Sequence, residues 1–383
     1  MTPKVPRVID IAPEHLKRVQ AAIDDIRAGK FVILVDDEDR ENEGDLCLAA
    51  ERVTPEAVNF MAVHGRGLVC VTLSEDQVKR LELPMMGAPG HRAARLGTAF
   101  TVSIEAREGV TTGISASDRA HTIRVAASPD ARPEDVVVPG HVFPLQARKG
   151  GVLVRAGQTE GSVDLARLAG LSPAGVICEI IRDDGEMARL PDLERFAERH
   201  GLCILTIADL IAYRLQTEAL VRRIAEREVV LDRTGTTWKA VLFESELDER
   251  RVLALVKGEP GETTLCRMQR GSLVSDVFSS SIANGGQALA ESLSAIENEG
   301  SGVVVYLPPQ DPLGVELEAD AKSDPSVSTA PARTLREYGL GAQVLRELGV
   351  RRLRLLTNHP PRIAGLHGHG LDLVECVAIP PRP

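Results

Sequence analysis

Between Asp36 and Asp45 the stretch DDEDRENEGD carries seven carboxylates, Asp36, Asp37, Glu38, Asp39, Glu41, Glu43 and Asp45, around a single Arg40. So many carboxylates cannot all stay ionised at close range unless a cation lies among them. Two cations are candidates: a hard divalent ion such as Mg²⁺, which takes carboxylate oxygens and keeps several waters, and the guanidinium of Arg40 itself. A solvated acidic loop is the competing reading. Position tells against it, because the run follows the apolar stretch FVILV, and loops that leave buried strands are where layered α/β proteins build sites. Three other places could do chemistry. In PGHVFPL, His141 lies between Pro139-Gly140 and Pro144, a setting that fixes an imidazole at a loop tip. In RAGQTEGSVDLARLAG, residues Arg155, Gly157 and Thr159 close a predicted strand and open a helix, where backbone N–H groups and a guanidinium can receive a phosphate. Glu179, inside GVICEII, is a carboxylate in an apolar strand; it needs a partner or a raised pKa, and both occur at general acid/base sites.

These residues need elements to hold them. Apolar residues at helical spacing in PEHLKRVQAAIDDIRAGK predict a helix ending at Gly29, with FVILV as a buried strand after it. PEAVNFMAVHG then reads as helix, GLVCVTL as strand, SEDQVKRLEL as helix and TAFTVSIEA as an alternating strand, while TTGISASDRAHTIRVAAS starts polar and turns helical. Next come the loop VVVPGHVFPLQ, the strand GVLVRAG, the helix EGSVDLARLAGL, the strand GVICEIIRDDG, the helix PDLERFAERHG and the strand CILTI. This alternation predicts an α/β, layered α+β, domain over residues 1–214. LIAYRLQTEALVRRIAEREVVL is predicted to cross as one helix into a second α/β unit, residues 215–383. That unit has strands TTWKAVLFESE, RVLALVKG, GVVVYL and RLRLLT and helices GQALAESLSAIENEG and REYGLGAQVLRELG. EADAKSDPSVSTAPA lacks periodicity and is predicted to be a flexible loop.

Charge and composition narrow the function classes. A net charge of −10 argues against a nucleic-acid or anionic-membrane surface, each of which needs a basic face. The opening MTPKVPRVIDIAPEHLKRVQ has no apolar core of a signal peptide, and no uncharged apolar run is long enough to span a bilayer, so a cytoplasmic protein is expected. Cys47, Cys70, Cys178, Cys203, Cys266 and Cys376 form no CxC or CxxC pair and read as reduced core residues.

In order along the chain, DDEDRENEGD, GVTTGISASDRA, PGHVFPL, RAGQTE and PAGVICE resemble the 3,4-dihydroxy-2-butanone 4-phosphate synthases of riboflavin biosynthesis, from about residue 12 to about residue 213. The resemblance implies a three-layer domain that forms homodimers with sites at the subunit interface. It implies a lyase that turns the sugar phosphate D-ribulose 5-phosphate into L-3,4-dihydroxybutan-2-one 4-phosphate and formate, with a pair of Mg²⁺ or Mn²⁺ ions in each site. Such a reaction enolises a sugar phosphate, removes a hydroxyl, shifts the carbon skeleton and expels formate, and each step needs proton transfer and stabilised enediolate oxygens. By resemblance Glu41 binds both metals and, with Arg40, touches substrate, while Asp45 holds it. His141 and Glu179 move protons, and Cys70 and Thr112 line the pocket. Arg155, Ala156, Gly157, Gln158 and Thr159 receive the phosphate end. One position departs from the family's arginine-x-glycine-histidine-threonine pattern, in which the histidine is a metal ligand: here it is Gln158, whose neutral, hard amide oxygen can still coordinate Mg²⁺. MMGAPGHRAARLGTAF also lacks the asparagine pair expected before the threonine-rich strand. The alternative is a ligand-binding or regulatory pseudoenzyme in which Gln158 disables the first site; the retained Arg40, Glu41, Asp45, His141 and Glu179 argue for the enzyme.

Beyond about residue 214 the segments LALVKGE, SDVFSSS, GVVVYL, REYGLGAQVLRELGVRRLRLLTNHPPRIAGL and HGL resemble GTP cyclohydrolase II, the usual fusion partner. That family binds zinc through three cysteines, and the matching positions here are Ser272, Ala283 and Gly285. Cys266 has no thiol neighbour in the segment, PPQDPLG replaces an arginine-rich stretch, and Thr334 stands where an aspartate precedes the retained Arg336. The resemblance therefore implies the scaffold without zinc and without cyclohydrolase activity.

Overall fold

Helix α1 (Pro13–Arg27) ends at Gly29, whose φ of +75° turns the chain into strand β1 (Val32–Val35). The structure is a computed structural model and describes residues 13–37, 40–86, 98–247, 250–277, 285–308, 331–358 and 371–379. The chain divides between Ile211 and Ala212 into two units, each built on one seven-stranded sheet. In the first unit β2 (Gly44–Ala49) and α2 (Pro55–Phe60) follow, the helix being capped by Thr54, which accepts from the Ala57 N–H. Then come β3 (Cys70–Leu73), α3 (Glu75–Arg80), β4 (Ile104–Ala106), α4 (Ala116–Ala127), β5 (Val136–Gln146), α5 (Gln158–Leu168), β6 (Ala174–Glu179), α6 (Leu190–His200), β7 (Cys203–Thr206) and α7 (Ile207–Thr217), within which the division falls. The strand order is β4-β5-β3-β6-β2-β1-β7.

The result is the layered α/β arrangement that the alternation of strands and helices predicts, in the three layers that the family resemblance implies. Ile33, Val35, Leu46, Leu48, Val71, Leu73, Val176 and Cys178 point into a core shared with Val58 of α2, Ile123 of α4 and Leu193 of α6. Successive strand residues face opposite ways, so Leu34, Asp45, Cys47, Cys70, Ile177 and Glu179 belong to the other face, where α1 and α5 pack. A slip of one residue in β2 would bury Asp45 in the first core and expel Leu46. Each large apolar side chain buried contributes roughly 1.5–3 kcal/mol, so the register is strongly specified.

Three expected elements come out differently. VVVPGHVFPLQ is a strand: β5 pairs in parallel with β3, and its register against β4 jumps from Val142 to Val137 between Ile104 and Glu105, so Pro139, Gly140 and His141 lie in a bulge. GVLVRAG is not a strand. Gly150 and Gly151 take left-handed φ, and Asp164 of α5 accepts the Val152 N–H at 2.8 Å, winding Gly151–Leu153 into a 3₁₀ turn. The helix expected to cross the boundary stops at Thr217. Its second half becomes β8 (Val221–Leu231), because the Leu220 N–H is held by Gln343 Oε1 at 2.6 Å and the chain beyond pairs with β9 (Thr236–Ser245). Tertiary pairing here overrides the helix propensity of Ala, Arg and Glu.

The second unit continues with β10 (Arg251–Lys257), β11 (Thr263–Arg270), α8 (Leu273–Asp276), α9 (Gly285–Glu299), β12 (Gly302–Leu307), α10 (Pro331–Glu347), β13 (Arg352–Leu356) and β14 (Asp372–Val377). Its order is β14-β13-β11-β12-β10-β9-β8, around a core of Trp238, Leu265, Ile296, Val304 and Leu356. The predicted loop EADAKSDPSVSTAPA lies outside the described residues except for Pro331 and Ala332, which open α10. Among the described residues no helix is long and apolar enough to cross a membrane.

Candidate active site

The acidic run is the hairpin that joins β1 to β2, and it is wound around Asp36. The buried Asp36 carboxylate accepts the backbone N–H groups of Glu41 at 3.2 Å and Glu43 at 2.9 Å, and Arg40 Nη1 at 2.6 Å. The same Nη1 lies 2.8 Å from Glu41 Oε2 and 2.9 Å from Gln158 Oε1. Of the two cations considered for this run, the guanidinium is therefore among the carboxylates. From outside, Arg189 donates to the carbonyl of Glu41 at 2.6 Å and to that of Asn42, and stands 3.8 Å from the Glu43 carboxylate. Glu38 and Asp39 lie outside the described residues.

Beside the hairpin two carboxylates face each other across the sheet. Asp45 of β2 is the register partner of Glu179 of β6. Burial pushes the Asp45 carboxyl well above its ordinary pKa, and the charges of Glu179 and Glu41 push it further. Glu43 is raised as well, by burial and then by Glu41, with Arg189 opposing. The partner expected for Glu179 is the Leu68 N–H, which donates to Oε2 at 2.8 Å. Gly67 makes that contact feasible: a Cβ there would stand 2.5 Å from Oε2 and 2.6 Å from the Glu179 carbonyl oxygen. Cys70 pairs with Ile177, two residues from Glu179 on the same face, and burial holds its thiol above the ordinary range, so it is wall rather than nucleophile. Cys178, on the opposite face, is pushed up to about 12 by burial.

Helix α5 opens at the same place. Its N-cap is Gly157, which offers no side chain, and Gln158, Thr159 and Glu160 are buried. Arg155 Nη1 pairs with Glu160 Oε2 at 2.7 Å while Nη2 donates to Thr98 Oγ1 at 3.2 Å. A Cβ on Gly157 would come within 2.6 Å of Arg155 Nη1 and 3.1 Å of both Arg40 Nη2 and Glu160 Oε2, so two guanidiniums and one carboxylate flank the helix N-terminus. The guanidiniums and the helix N-terminus favour an anion with several oxygens, and the Glu160 charge opposes it. Asp36 Oδ2, Glu41 Oε2 and Gln158 Oε1 converge on one nitrogen, so a divalent ion in its place would meet three hard oxygens. Among the described residues no group of three His, Cys, Asp or Glu forms a ligand set. An ion there would rest on the Asp36 and Glu41 carboxylates, the Gln158 amide oxygen and waters, a donor set that suits Mg²⁺.

His141 and Thr112 stand apart from this cluster. His141 Nδ1 is 2.7 Å from Glu105 Oε2, and Gly113, next to the exposed Thr112, packs on that contact. Strand β3 separates β5 from β6, which puts His141 and Glu179 about two strand spacings, roughly 10 Å, apart within one chain. Three residues that shape these clusters escaped the reading of the sequence. Glu105 could have been found by the signal that singled out Glu179, a carboxylate in an alternating strand. Asp36 was noticed only as one acid among seven. Arg189 has no local signal, since it reaches the hairpin from 148 residues away.

In the second unit the Ser272 N–H donates to Asp276 Oδ2 at 2.8 Å, and the Tyr306 hydroxyl donates to the same oxygen at 2.8 Å. Cys266 is buried in β11 with its thiol donating to the Thr264 carbonyl at 3.5 Å. Gly285 opens α9. Ala283, Pro309 and Pro312 lie outside the described residues, as do the side chains of Thr334 and Arg336.

Comparison with known proteins gives two family matches: 3,4-dihydroxy-2-butanone 4-phosphate synthase over residues 20–213 and GTP cyclohydrolase II over residues 222–378. The riboflavin biosynthesis protein RibBA of Aquifex aeolicus (strain VF5) is 50% identical over 383 residues, which cover 95% of this chain and 93% of that protein. Among solved structures, RibBX of A. baumannii, described as a two domain 3,4-dihydroxy-2-butanone 4-phosphate synthase, is 44% identical. It matches with a TM-score of 0.77 over 94% of this chain and 99% of its own. A 3,4-dihydroxy-2-butanone 4-phosphate synthase in complex with two magnesium ions is 44% identical, with a TM-score of 0.50 over 52% of this chain and 97% of its own.

Proposed function

Since the chain belongs to the 3,4-dihydroxy-2-butanone 4-phosphate synthase family and is an enzyme of riboflavin biosynthesis fused to a GTP cyclohydrolase II-type domain, we propose that residues 1–214 convert D-ribulose 5-phosphate to L-3,4-dihydroxybutan-2-one 4-phosphate and formate. We infer also that residues 215–383 keep the cyclohydrolase scaffold without its activity. The observation that carries the first reading is the convergence of Glu41, Gln158 and Arg40 at the N-terminus of α5, beside the opposed carboxyls of Asp45 and Glu179.

Arg155 and the backbone from Ala156 to Thr159 receive the phosphate, with Gly157 placing no side chain between it and the backbone N–H groups. Arg40, released from its carboxylates, turns to the substrate. Glu41 and Gln158 would hold a pair of Mg²⁺ or Mn²⁺ ions with waters, and the similar synthase in complex with two magnesium ions supports divalent metal use. Bound there, the ions supply Lewis-acid polarisation of substrate oxygens. Asp45, buried opposite Glu179, binds a substrate hydroxyl. Glu179, with Oε2 held by Leu68, moves protons through its other oxygen. Cys70 lines the wall beside Glu179, and Thr112, which stands with His141, lines it from the second chain of a homodimer.

His141 is the second proton carrier. Its distance from Glu179 within one chain supports a homodimer, formed through this domain, in which the partner's His141 completes the site. Ile114 and Val138, on the two segments that meet at His141, are 57% and 54% exposed, as an unpaired interface would leave them. For the second domain, Ser272, Ala283 and Gly285 offer no thiolate, and Cys266 is committed to its strand. RibBX of A. baumannii, described as a two domain synthase, supports a fusion whose named activity is the first domain's.

The test is to incubate purified protein with ribulose 5-phosphate and Mg²⁺ and to measure formate. Activity should vanish with a chelator and return with Mg²⁺ or Mn²⁺; activity that survives exhaustive chelation would remove the metal from the reading. His141→Gln or Glu179→Gln should each lower turnover at least about 10²-fold, the scale of one general acid/base group.

A further inference from the structure

His141 is held by a chain of hydrogen bonds whose direction is set at its far end. The backbone N–H of Ala106 can only donate, and it does so to Thr122 Oγ1 at 3.1 Å. Thr122 therefore sends its own hydrogen to Glu105 Oε1, 2.9 Å away. The remaining carboxylate oxygen, Oε2, is 2.7 Å from His141 Nδ1, and an ionised carboxylate there can only accept. Thr122 is fully buried and Glu105 is 8% exposed. Gly113 covers the last bond: a Cβ on it would fall 1.8 Å from Glu105 Oε2 and 2.6 Å from His141 Nδ1. Asp118, at the start of α4, fixes that glycine by accepting its N–H at 3.0 Å and the Thr111 hydroxyl at 2.7 Å. On the other side Gly140 lies so close to β4 that a Cβ would stand 2.0 Å from the Ile104 carbonyl oxygen. Strand β4, helix α4 and two glycine-bearing segments thus converge on one imidazole–carboxylate contact.

We propose that Glu105 is the positioning residue of His141: it fixes Nδ1 as the protonated nitrogen and leaves Nε2 as the nitrogen that exchanges protons with the sugar phosphate. This rests on the reading of His141 as a proton carrier. A neutral imidazole can carry its hydrogen on either nitrogen, and only one of the two tautomers has a lone pair on Nε2. An acceptor at Nδ1 selects that tautomer and fixes the ring plane. Glutamine at position 105 would keep the size but add an N–H donor and remove the charge, so both nitrogens of the ring lose their assignment.

The test uses the full-length protein labelled with ¹⁵N-histidine, the His141 signals being assigned by their loss in His141→Gln. In the neutral form the wild-type spectrum should show a protonated Nδ1 and an unprotonated Nε2. Glu105→Gln should move these shifts toward a mixture of tautomers and lower kcat by about 10²-fold or more, the scale of a misplaced acid/base group, with KM changed less than about threefold. Glu105→Asp should recover part of the loss. A wild-type His141 protonated on Nε2 would overturn the proposal, and that spectrum decides the matter even if Glu105→Gln does not fold. Unchanged kcat and nitrogen shifts in Glu105→Gln, alongside a crippled His141→Gln, would overturn the positioning role alone. Normal turnover in His141→Gln would sink the catalytic reading of the histidine and this proposal with it.

Discussion

Arg40 bonds Asp36, Glu41 and Gln158 through one nitrogen, so its guanidinium stands where a divalent ion would find its oxygens. An ion entering there must displace it, and like charge opposes the entry. Arg40→Gln is therefore expected to tighten Mn²⁺ binding in the absence of substrate by about tenfold, or about 1.4 kcal/mol, while turnover falls. Electron paramagnetic titration of free Mn²⁺ reads this directly, and equal or weaker binding would put Nη1 outside the path of the ion. Asp45 gives a prediction in pH. Its folded pKa lies above its unfolded value, so the fold binds the proton more tightly, and the destabilisation is absent below the unfolded pKa and grows as pH rises through the folded one. Asp45→Asn should therefore raise the melting temperature of chelator-treated protein at pH 8, by an amount that shrinks as pH approaches 4. A constant or negative effect across that range would mean that the carboxyl is stabilised where it lies.

At the scale of elements, the hairpin is secured twice. Asp36 holds its base from within, and Arg189 holds the carbonyls at its tip from the start of α6. Arg189 is 44% exposed, so its loss should loosen the tip without unfolding the domain. Arg189→Ala is expected to weaken Mn²⁺ binding several-fold and to shift the melting temperature by no more than about 2 °C, the scale of a surface substitution in a domain of this size. A large fall in melting temperature with unchanged binding would make Arg189 a strut of the fold instead. Much of the element pattern was legible, because helix spacing, Gly29 and the apolar run of β1 are local signals. What was misread has a local cause each time. Pro139 and Pro144 disguised β5, whose bulge accommodates the first of them. The valines of GVLVRAG suggested a strand, but the capture of Val152 by Asp164 closes a turn. β2, β11 and β14 have no expected counterpart, the first because GDLCLA begins inside the acidic run, where Gly44 and Asp45 are poor strand formers.

At the scale of the molecule, two units of different chemistry share one chain. In the second, Ser272, Asp276 and Tyr306 satisfy one another at the segment where the related family carries thiolates. The full-length protein should contain no stoichiometric zinc and should release no formate from GTP even when zinc is added. Metal analysis and a GTP assay check this. Zinc-dependent GTP turnover would overturn the reading of the whole domain. Combining Ser272→Cys, Ala283→Cys and Gly285→Cys should restore zinc without turnover, because PPQDPLG still replaces the cationic loop and Thr334 cannot act as a base near neutral pH.

The sequence by itself determined the residue types at each strand end and helix start, and with them the family. DDEDRENEGD, PGHVFPL and RAGQTE are short, contiguous and ordered, and their chemistry can be read without knowing what lies opposite. Only the tertiary structure decided who faces whom. Asp45 meets Glu179 because β2 and β6 are antiparallel neighbours in a register set by which faces are buried together. Glu105 meets His141 because a bulge in β5 carries the histidine to β4. Gln158 reaches Arg40 because α5 lies across the hairpin's face of the sheet. Each contact joins residues far apart in the chain, and side-chain type and spacing encode local conformation but not the burial of distant faces against each other.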